Sequence, residues 1–258
     1  MKYIKTINEL NSVWTVVKRS NIHLQKDEVK DPYFSNEIVI STLKKMNIEV
    51  NSVSYVSSGA NGSAYRSTEL PGKIIKLQKM KRQLAISFMR DYKKILNKKP
   101  KHIVKIFEVG YVEQETQGTD EYYDKDYVAP GYVILIREEL NSIWRDIGTY
   151  SDTADIIMGM EDLPDFDDFN NKSLDLLSTR DLLKWMVEHS SQFGNTFRHM
   201  SQFNIDELFP KETDLQIFHD VYEGLKEARN LGIKAFDIFI KNVMYDPKQK
   251  IFKLLEIK

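Results

Sequence analysis

The spacing of apolar positions changes along the chain. Ile7, Leu10, Trp14 and Val17 recur at helical intervals, and Asp31-Pro32 breaks the run. A second helix is expected from about Ser35 to Met46, with Ile38, Ile40, Leu43 and Met46 turned inward. From Val53 the period shortens to that of a strand. Val53, Tyr55 and Ser57 alternate, Gly59 and Gly62 interrupt, and Ala64-Tyr65-Arg66 resumes extended structure. Leu70-Pro71-Gly72 turns the chain into a short β-rich run at 73–77.

Residues 79–98 return to helical spacing, with Leu84, Ile86, Phe88, Met89, Tyr92, Ile95 and Leu96 apolar and Pro100 as the stop. Strands are expected at 102–109 and 131–136, with a polar loop at 113–126 between them. Residues 141–177 read as acidic and irregular, 180–200 as a helix, and 214–230 as a cleaner helix with Gly232 at its C-cap. Short strands around Asp246-Pro247 close the sequence. The elements amount to an α+β chain with its sheet in the first half and its helices in the second.

Composition narrows the chemistry. The 258 residues suffice for one large domain or two small ones. Cysteine is absent, which excludes disulfides, thiolate metal sites and a cysteine nucleophile. The longest clean apolar run, at 132–136, is far short of the roughly 20 residues that span a bilayer. The first residues lack the apolar stretch of a signal peptide, so the expectation is a cytoplasmic protein with no membrane partner. A net charge of −1 hides a segregation: twelve Lys/Arg and one acid from Lys73 to Lys105, against eight Asp/Glu and one base from Asp152 to Asp175. Such a dipole suits an anionic ligand near the first segment, and it equally describes two solvated faces. The basic helix carries no interleaved aromatic platform, which argues against nucleic acid as partner.

Four places could carry chemistry. Gly59 and Gly62, with Ser63 after them, form a glycine hairpin whose backbone N–H groups can approach phosphates because no Cβ intervenes. The same glycines also make an ordinary turn, and no GxxxxGK[S/T] loop occurs anywhere. Lys76 lies in a short apolar strand, where an ammonium can neutralise phosphate or simply face solvent. Asp237 and Asn242 are five apart in apolar surroundings. The carboxylate can orient a hydroxyl and the amide can hold a metal ion, or the two are a loop Asp and a turn Asn. Glu256 follows a terminal strand and can be a second metal ligand or an exposed acid.

The order of these parts over residues 53–258 resembles the protein kinase-like superfamily. Gly59 and Gly62 match the second and third glycines of the Gly-rich loop, with Ser57 in place of the first. Lys76 matches the ATP-phosphate lysine, and residues 137–140, with Glu138 and Glu139, resemble the hinge that holds adenine. Asp237 and Asn242 match the catalytic aspartate and metal-binding asparagine, and Glu256 falls where the aspartate of Asp-Phe-Gly belongs. Ser63-Ala64-Tyr65, Phe236-Asp237 and Asn242-Val243-Met244 are also similar to the early serine/threonine protein kinases of short-tailed coliphages.

The resemblance implies a protein kinase-like bilobal fold: an N-terminal helical extension at 1–50, an antiparallel-sheet N-lobe with hinge at 51–140, and a reduced, mainly helical C-lobe at 141–258. It implies ATP and Mg²⁺ as cofactors and phosphoryl transfer to host proteins in the host cytoplasm. Several positions depart from the pattern. Ala235-Phe236 replaces His-Arg, and Phe239 stands where Lys or His is usual, leaving Lys241 as a candidate for the γ-phosphate. The helix after Lys76 has no Glu, so Asp91 or Gln83 would have to orient the lysine. Glu256-Ile257-Lys258 replaces Asp-Phe-Gly, and the sequence ends there without an activation segment. These departures imply the alternative of a pseudokinase that binds and inhibits or scaffolds a host protein. The oligomeric state and the protein substrate are not legible.

Overall fold

A computed structural model of the chain describes residues 34–58, 62–80, 82–113, 131–143, 147, 151–160, 177–189, 202–233 and 240–255. They fall in two compact units, one up to Glu139 and one from Leu140 onward. The expected helix around residues 7–17 and the expected loop at 113–126 lie, the second all but its first residue, outside the described residues.

The first unit opens with α1, Asn36–Lys45, capped by the Ser35 hydroxyl, which accepts from the Ile38 N–H. Its buried face is Val39, Thr42 and Leu43, while Ile38, Ile40 and Met46 are half-buried at its margins. The inward face is thus centred one residue away from the expected stripe, because Thr42 can enter the core by donating to the Ile38 carbonyl at 2.6 Å.

Strands β1 (Ser54–Ser58), β2 (Gly62–Arg66), β3 (Lys73–Met80), β4 (Ile106–Glu113) and β5 (Gly131–Glu138) form one antiparallel sheet in the order β1-β2-β3-β5-β4. Helix α2, Arg82–Lys98, connects β3 to β4. The fourth strand starts later than the sequence suggests. Lys99 takes a left-handed φ of 51° after the helix, and Ile103 makes only an isolated bridge before β4 begins at Ile106.

Register assigns the two faces of this sheet. Tyr65, Ile75, Leu77, Ile134 and Ile136 share a face and pack with Val39 and Leu43 of α1. Each such buried aliphatic contributes about 1.5–3 kcal/mol. Gly62, Ala64, Ile74, Lys76, Gln78, Val133 and Leu135 occupy the other face by strict alternation. Helix α2 buries Ala85, Tyr92 and Ile95 and exposes Leu84 (63%) and Ile86 (57%). Those two apolar residues belong to the expected stripe but lie off its buried side.

The second unit starts with β6, Asn141–Ser142. Helix α3, Asp152–Gly159, follows, capped by the Ser151 hydroxyl and burying Ala154, Ile156 and Ile157. This corrects the expectation of an irregular segment at 141–177: a single cap residue and one apolar side suffice for a two-turn helix. Helices α4 (Thr179–Glu188), α5 (Ile205–Leu208) and α6 (Gln216–Asn230) come next, with a 3₁₀ turn at Glu212–Leu215. Helix α6 ends as the sequence suggests. Gly232 adopts φ 65°, its N–H donates to the Arg229 carbonyl, and the Ile233 N–H donates to the Ala228 carbonyl. A 3₁₀ turn at Ile240–Asn242 leads into β7 (Val243–Asp246) and β8 (Ile251–Leu254), which pair with β6 in the order β6-β7-β8.

Candidate functional site

Lys76 lies in the middle of β3, the central strand of the first sheet, directly opposite Ala64 on one side and Leu135 on the other. The side chain is half-buried. Its face is the one that α1 does not cover. Gly62 sits one pair further along, opposite Gln78. The glycine is required there: a Cβ would overlap the Leu77 carbonyl oxygen and lie 2.8 Å from Gln78 Cγ. Gly59, the other hairpin glycine, lies outside the described residues.

Ser63 points to the opposite face from Lys76. It is 1% exposed, and its hydroxyl lies 2.8 Å from that of Ser58, which accepts from the Tyr55 phenol at 3.0 Å. Two residues further along β2, on the same face, the Tyr65 phenol donates to the Phe34 carbonyl at 2.6 Å. Burial pushes the Tyr65 phenol above its ordinary value, against the opposing pull of the Ser63 hydroxyl. These hydroxyls hold the two arms of the hairpin together beside residues 59–61. A phosphate contact from Ser63 would therefore have to come from its backbone.

Glu138 ends β5 and Glu139 follows it. The Glu138 N–H donates to the Lys105 carbonyl at 2.9 Å, and the Glu139 N–H to the Gly72 carbonyl at 3.0 Å. Their carboxylates are engaged as well. Glu138 Oε1 accepts from the Lys105 N–H at 2.7 Å, and Glu139 pairs with Arg66. Both N–H groups are thus committed to the protein rather than turned toward a purine edge. Asp91, one of the two residues expected to orient Lys76, pairs with Lys94 at 2.8 Å and Arg90 at 3.4 Å on its own helix. The side chain of Gln83, the other one, lies outside the described residues.

In the second unit, Lys241 and Asn242 occupy the 3₁₀ turn before β7, Lys241 exposed and Asn242 half-buried. The Leu255 N–H donates to the Asn242 carbonyl at 2.8 Å, which continues the β7–β8 ladder past the Val243–Leu254 pair. Asn242 and the residue before Glu256 therefore meet at one end of the hairpin. Asp237 and Glu256 themselves lie outside the described residues, and among the described ones no group of three or more acidic or histidine side chains is arranged to hold a metal ion.

What fixes this hairpin was not legible in the sequence. Asp220 of α6 accepts the Phe252 N–H at 2.9 Å. At the far turn, Asp246 Oδ1 accepts from the Lys248 and Gln249 N–H groups at 2.9 and 3.2 Å, while Oδ2 pairs with Lys253 at 2.9 Å. Burial alone would raise the Asp246 carboxyl, but the Lys253 ammonium and the two N–H bonds outweigh it and hold the group below its ordinary value. Tyr245 is raised by burial and by the charges of Asp246 and Asp220. The Asp-Pro turn marks one of these residues in the sequence, but nothing marks Asp220 or Lys253 as its partners.

No protein-family model matches the chain, and neither does any curated protein. Among solved structures there is a distant match to the aminoglycoside phosphotransferase APH(2")-IIa, a member of the protein kinase-like fold, in its ternary complex with streptomycin and ATP. Identity is 16%, the match covers 87% of this chain and 69% of that one, and the TM-score is 0.30. No helix among the described residues is long and apolar enough to cross a membrane.

Proposed function

We propose that the chain is an ATP- and Mg²⁺-dependent phosphotransferase with a bilobal, protein kinase-like fold, acting as a serine/threonine kinase on host proteins during phage infection. One observation carries this reading. The five-stranded sheet puts a half-buried Lys76 on its central strand, on the face that α1 leaves clear and next to a glycine position that no other residue fits. An ammonium in that setting suits a polyphosphate, and the missing Cβ at Gly62 suits a close backbone approach. When bound, ATP supplies the phosphoryl group and Mg²⁺ offsets its charge. Of this chain's own residues, Lys76 would hold the α/β-phosphates and Lys241 the γ-phosphate. Asp237 would orient the attacking hydroxyl, and Asn242 and Glu256 would ligate the metal.

The test is transfer of label from radioactive ATP into bacterial lysate. Asp237→Ala and Lys76→Ala, each checked for folding by circular dichroism, are expected to lower labelling by about a hundredfold or more. Labelling equal to wild type in both would overturn the reading.

The engagement of the Glu138 and Glu139 N–H groups favours a second reading, a non-catalytic protein that binds a host partner. A thermal-shift titration with ATP separates the two. A shift enhanced by Mg²⁺ supports the enzyme. No shift, together with a toxicity in cells that survives both substitutions, supports the binder.

A further inference from the structure

Among the described residues three large apolar side chains are exposed, and two of them, Leu84 (63%) and Ile86 (57%), stand near the start of α2. Two residues advance a helix by about 200°, so they lie on opposite flanks of the side that buries Ala85, Tyr92 and Ile95. The flanks differ. That of Leu84 continues with Asp91 and Lys98, and Asp91 pairs with Lys94 at 2.8 Å. That of Ile86 continues with half-buried Met89 at i+3, then with Arg90, Lys93 and Asn97, all three exposed. Asp91 is the one acid of α2, so Lys93 has no carboxylate to meet on its own helix, and Arg90 reaches Asp91 only at 3.4 Å.

Helix formation does not account for this flank. Ile86 is β-branched and exposed, and helps neither the helix nor its packing. Lys98 at the end of α2 complements the helix dipole, but Arg90 and Lys93 stand in its middle, beyond the reach of that effect. The result is an aliphatic patch of Ile86 and Met89 leading into unpaired positive charge. We propose that this flank docks an acidic amphipathic segment of a protein partner, with an aliphatic side chain on Ile86 and Met89 and carboxylates on Arg90 and Lys93. Charge complementarity selects the acid, and shape selects the peptide. A flat lipid surface would meet the crest of the helix opposite the sheet, where Arg90 and Lys94 stand and no aliphatic does. A nucleic acid would use the cations and leave Ile86 in water. The inference goes beyond the phosphotransferase reading and does not rest on it.

The test is fluorescence anisotropy of the full chain, without nucleotide, against a labelled helical peptide that carries a leucine and, four and seven residues on, glutamates. A control peptide has glutamines in their place, and a DNA oligonucleotide and phosphatidylserine vesicles are the competing probes. Ile86→Gln and Lys93→Gln are each expected to weaken binding of the glutamate peptide by about fivefold to tenfold. Leu84→Gln and Lys98→Gln make the same changes on the other flank and should stay within about twofold at physiological salt, where screening confines the effect of a charge. All four side chains are exposed, so the variants keep the fold. The inference is overturned if the glutamate peptide does not bind, if both peptides bind alike, or if the two pairs of variants lose equally. It is also overturned if DNA or vesicles bind more tightly than the peptide and do so unchanged in Ile86→Gln.

Discussion

The buried pair between Lys253 and Asp246 gives the sharpest test of how the second unit is held together. Lys253→Met keeps the length and apolar character of the side chain and removes only the charge. The two side chains are 3% and 6% exposed and meet at 2.9 Å, so the substitution leaves a carboxylate inside the β7–β8 hairpin without its cation. Removing one partner of a buried pair costs about 3–5 kcal/mol. The Lys248 and Gln249 N–H groups still reach Oδ1, which places the expectation near the lower end, about 3 kcal/mol. Adding Asp246→Asn removes the stranded charge and keeps an acceptor for the turn, so the double variant should recover part of the loss.

The pH dependence carries the more distinctive signature. In wild type the Asp246 carboxyl is held below its ordinary value, so its contribution is present above the unfolded pKa of about 3.9 and is lost as pH falls through the folded value. Without Lys253 the largest influence left is burial, which raises the group. The neutral acid is then the form that the folded state prefers, and the penalty appears only as pH rises through the raised value. The difference between wild type and Lys253→Met should therefore be largest near neutrality and shrink on going from about pH 7 to about pH 4. Urea unfolding followed by circular dichroism at both pH values measures it. A loss below about 1 kcal/mol, the level of an exposed ion pair, or one that does not shrink in acid, would refute the reasoning.

Three further outcomes follow from packing. Gly62→Ala forces a Cβ onto the Leu77 carbonyl oxygen, and a loss of about 1–3 kcal/mol is expected, read as a lower thermal midpoint. Tyr65→Phe leaves the buried Phe34 carbonyl without the phenol and should cost about 1–3 kcal/mol in chemical denaturation. Ile95→Ala should cost about 2–5 kcal/mol, because Ile95 is buried under α2, whereas Leu84→Ala, 63% exposed on the same helix, should stay within about 0.5 kcal/mol.

The sheet was legible because its strands carry their own punctuation. The switch to period two at Val53, the Leu70-Pro71-Gly72 turn and the apolar run at 132–136 fix four of the five strands of the first unit. The same logic placed α1, and it placed α6 through Gly232. Where it failed, a competing local term won. Helix α3 escaped notice because its eight residues offer only two turns of periodicity within an acidic tract. The apolar character of Leu84 and Ile86 suggested burial, but a helix lying on one sheet face can bury only one side, and Ala85, Tyr92 and Ile95 define it. In the candidate site, spacing identified Lys76 and Asn242 as residues but not their surroundings. Asp220 and Lys253 act through helix docking and strand register, contacts between positions that no local pattern encodes.

The placement of buried polar groups bears on what these hairpins are for. A hydroxyl chain of Tyr55, Ser58 and Ser63 closes the β1–β2 arms, and Asp220, Asp246 and Lys253 fix the β7–β8 arms. In both cases apolar residues of similar volume would stabilise the fold at least as well, since desolvating polar and charged groups offsets much of what their bonds return. What such bonds add is direction: they admit one arrangement of the two arms where an apolar contact admits several. The first network adjoins Gly62 near the tip of its hairpin, on the sheet face opposite Lys76, and Tyr55 within it packs against the core that α1 covers. The second holds the turn end of the β7–β8 hairpin and ties the hairpin to α6, so that Lys241 and Asn242, at the other end, extend from two arms with one fixed arrangement.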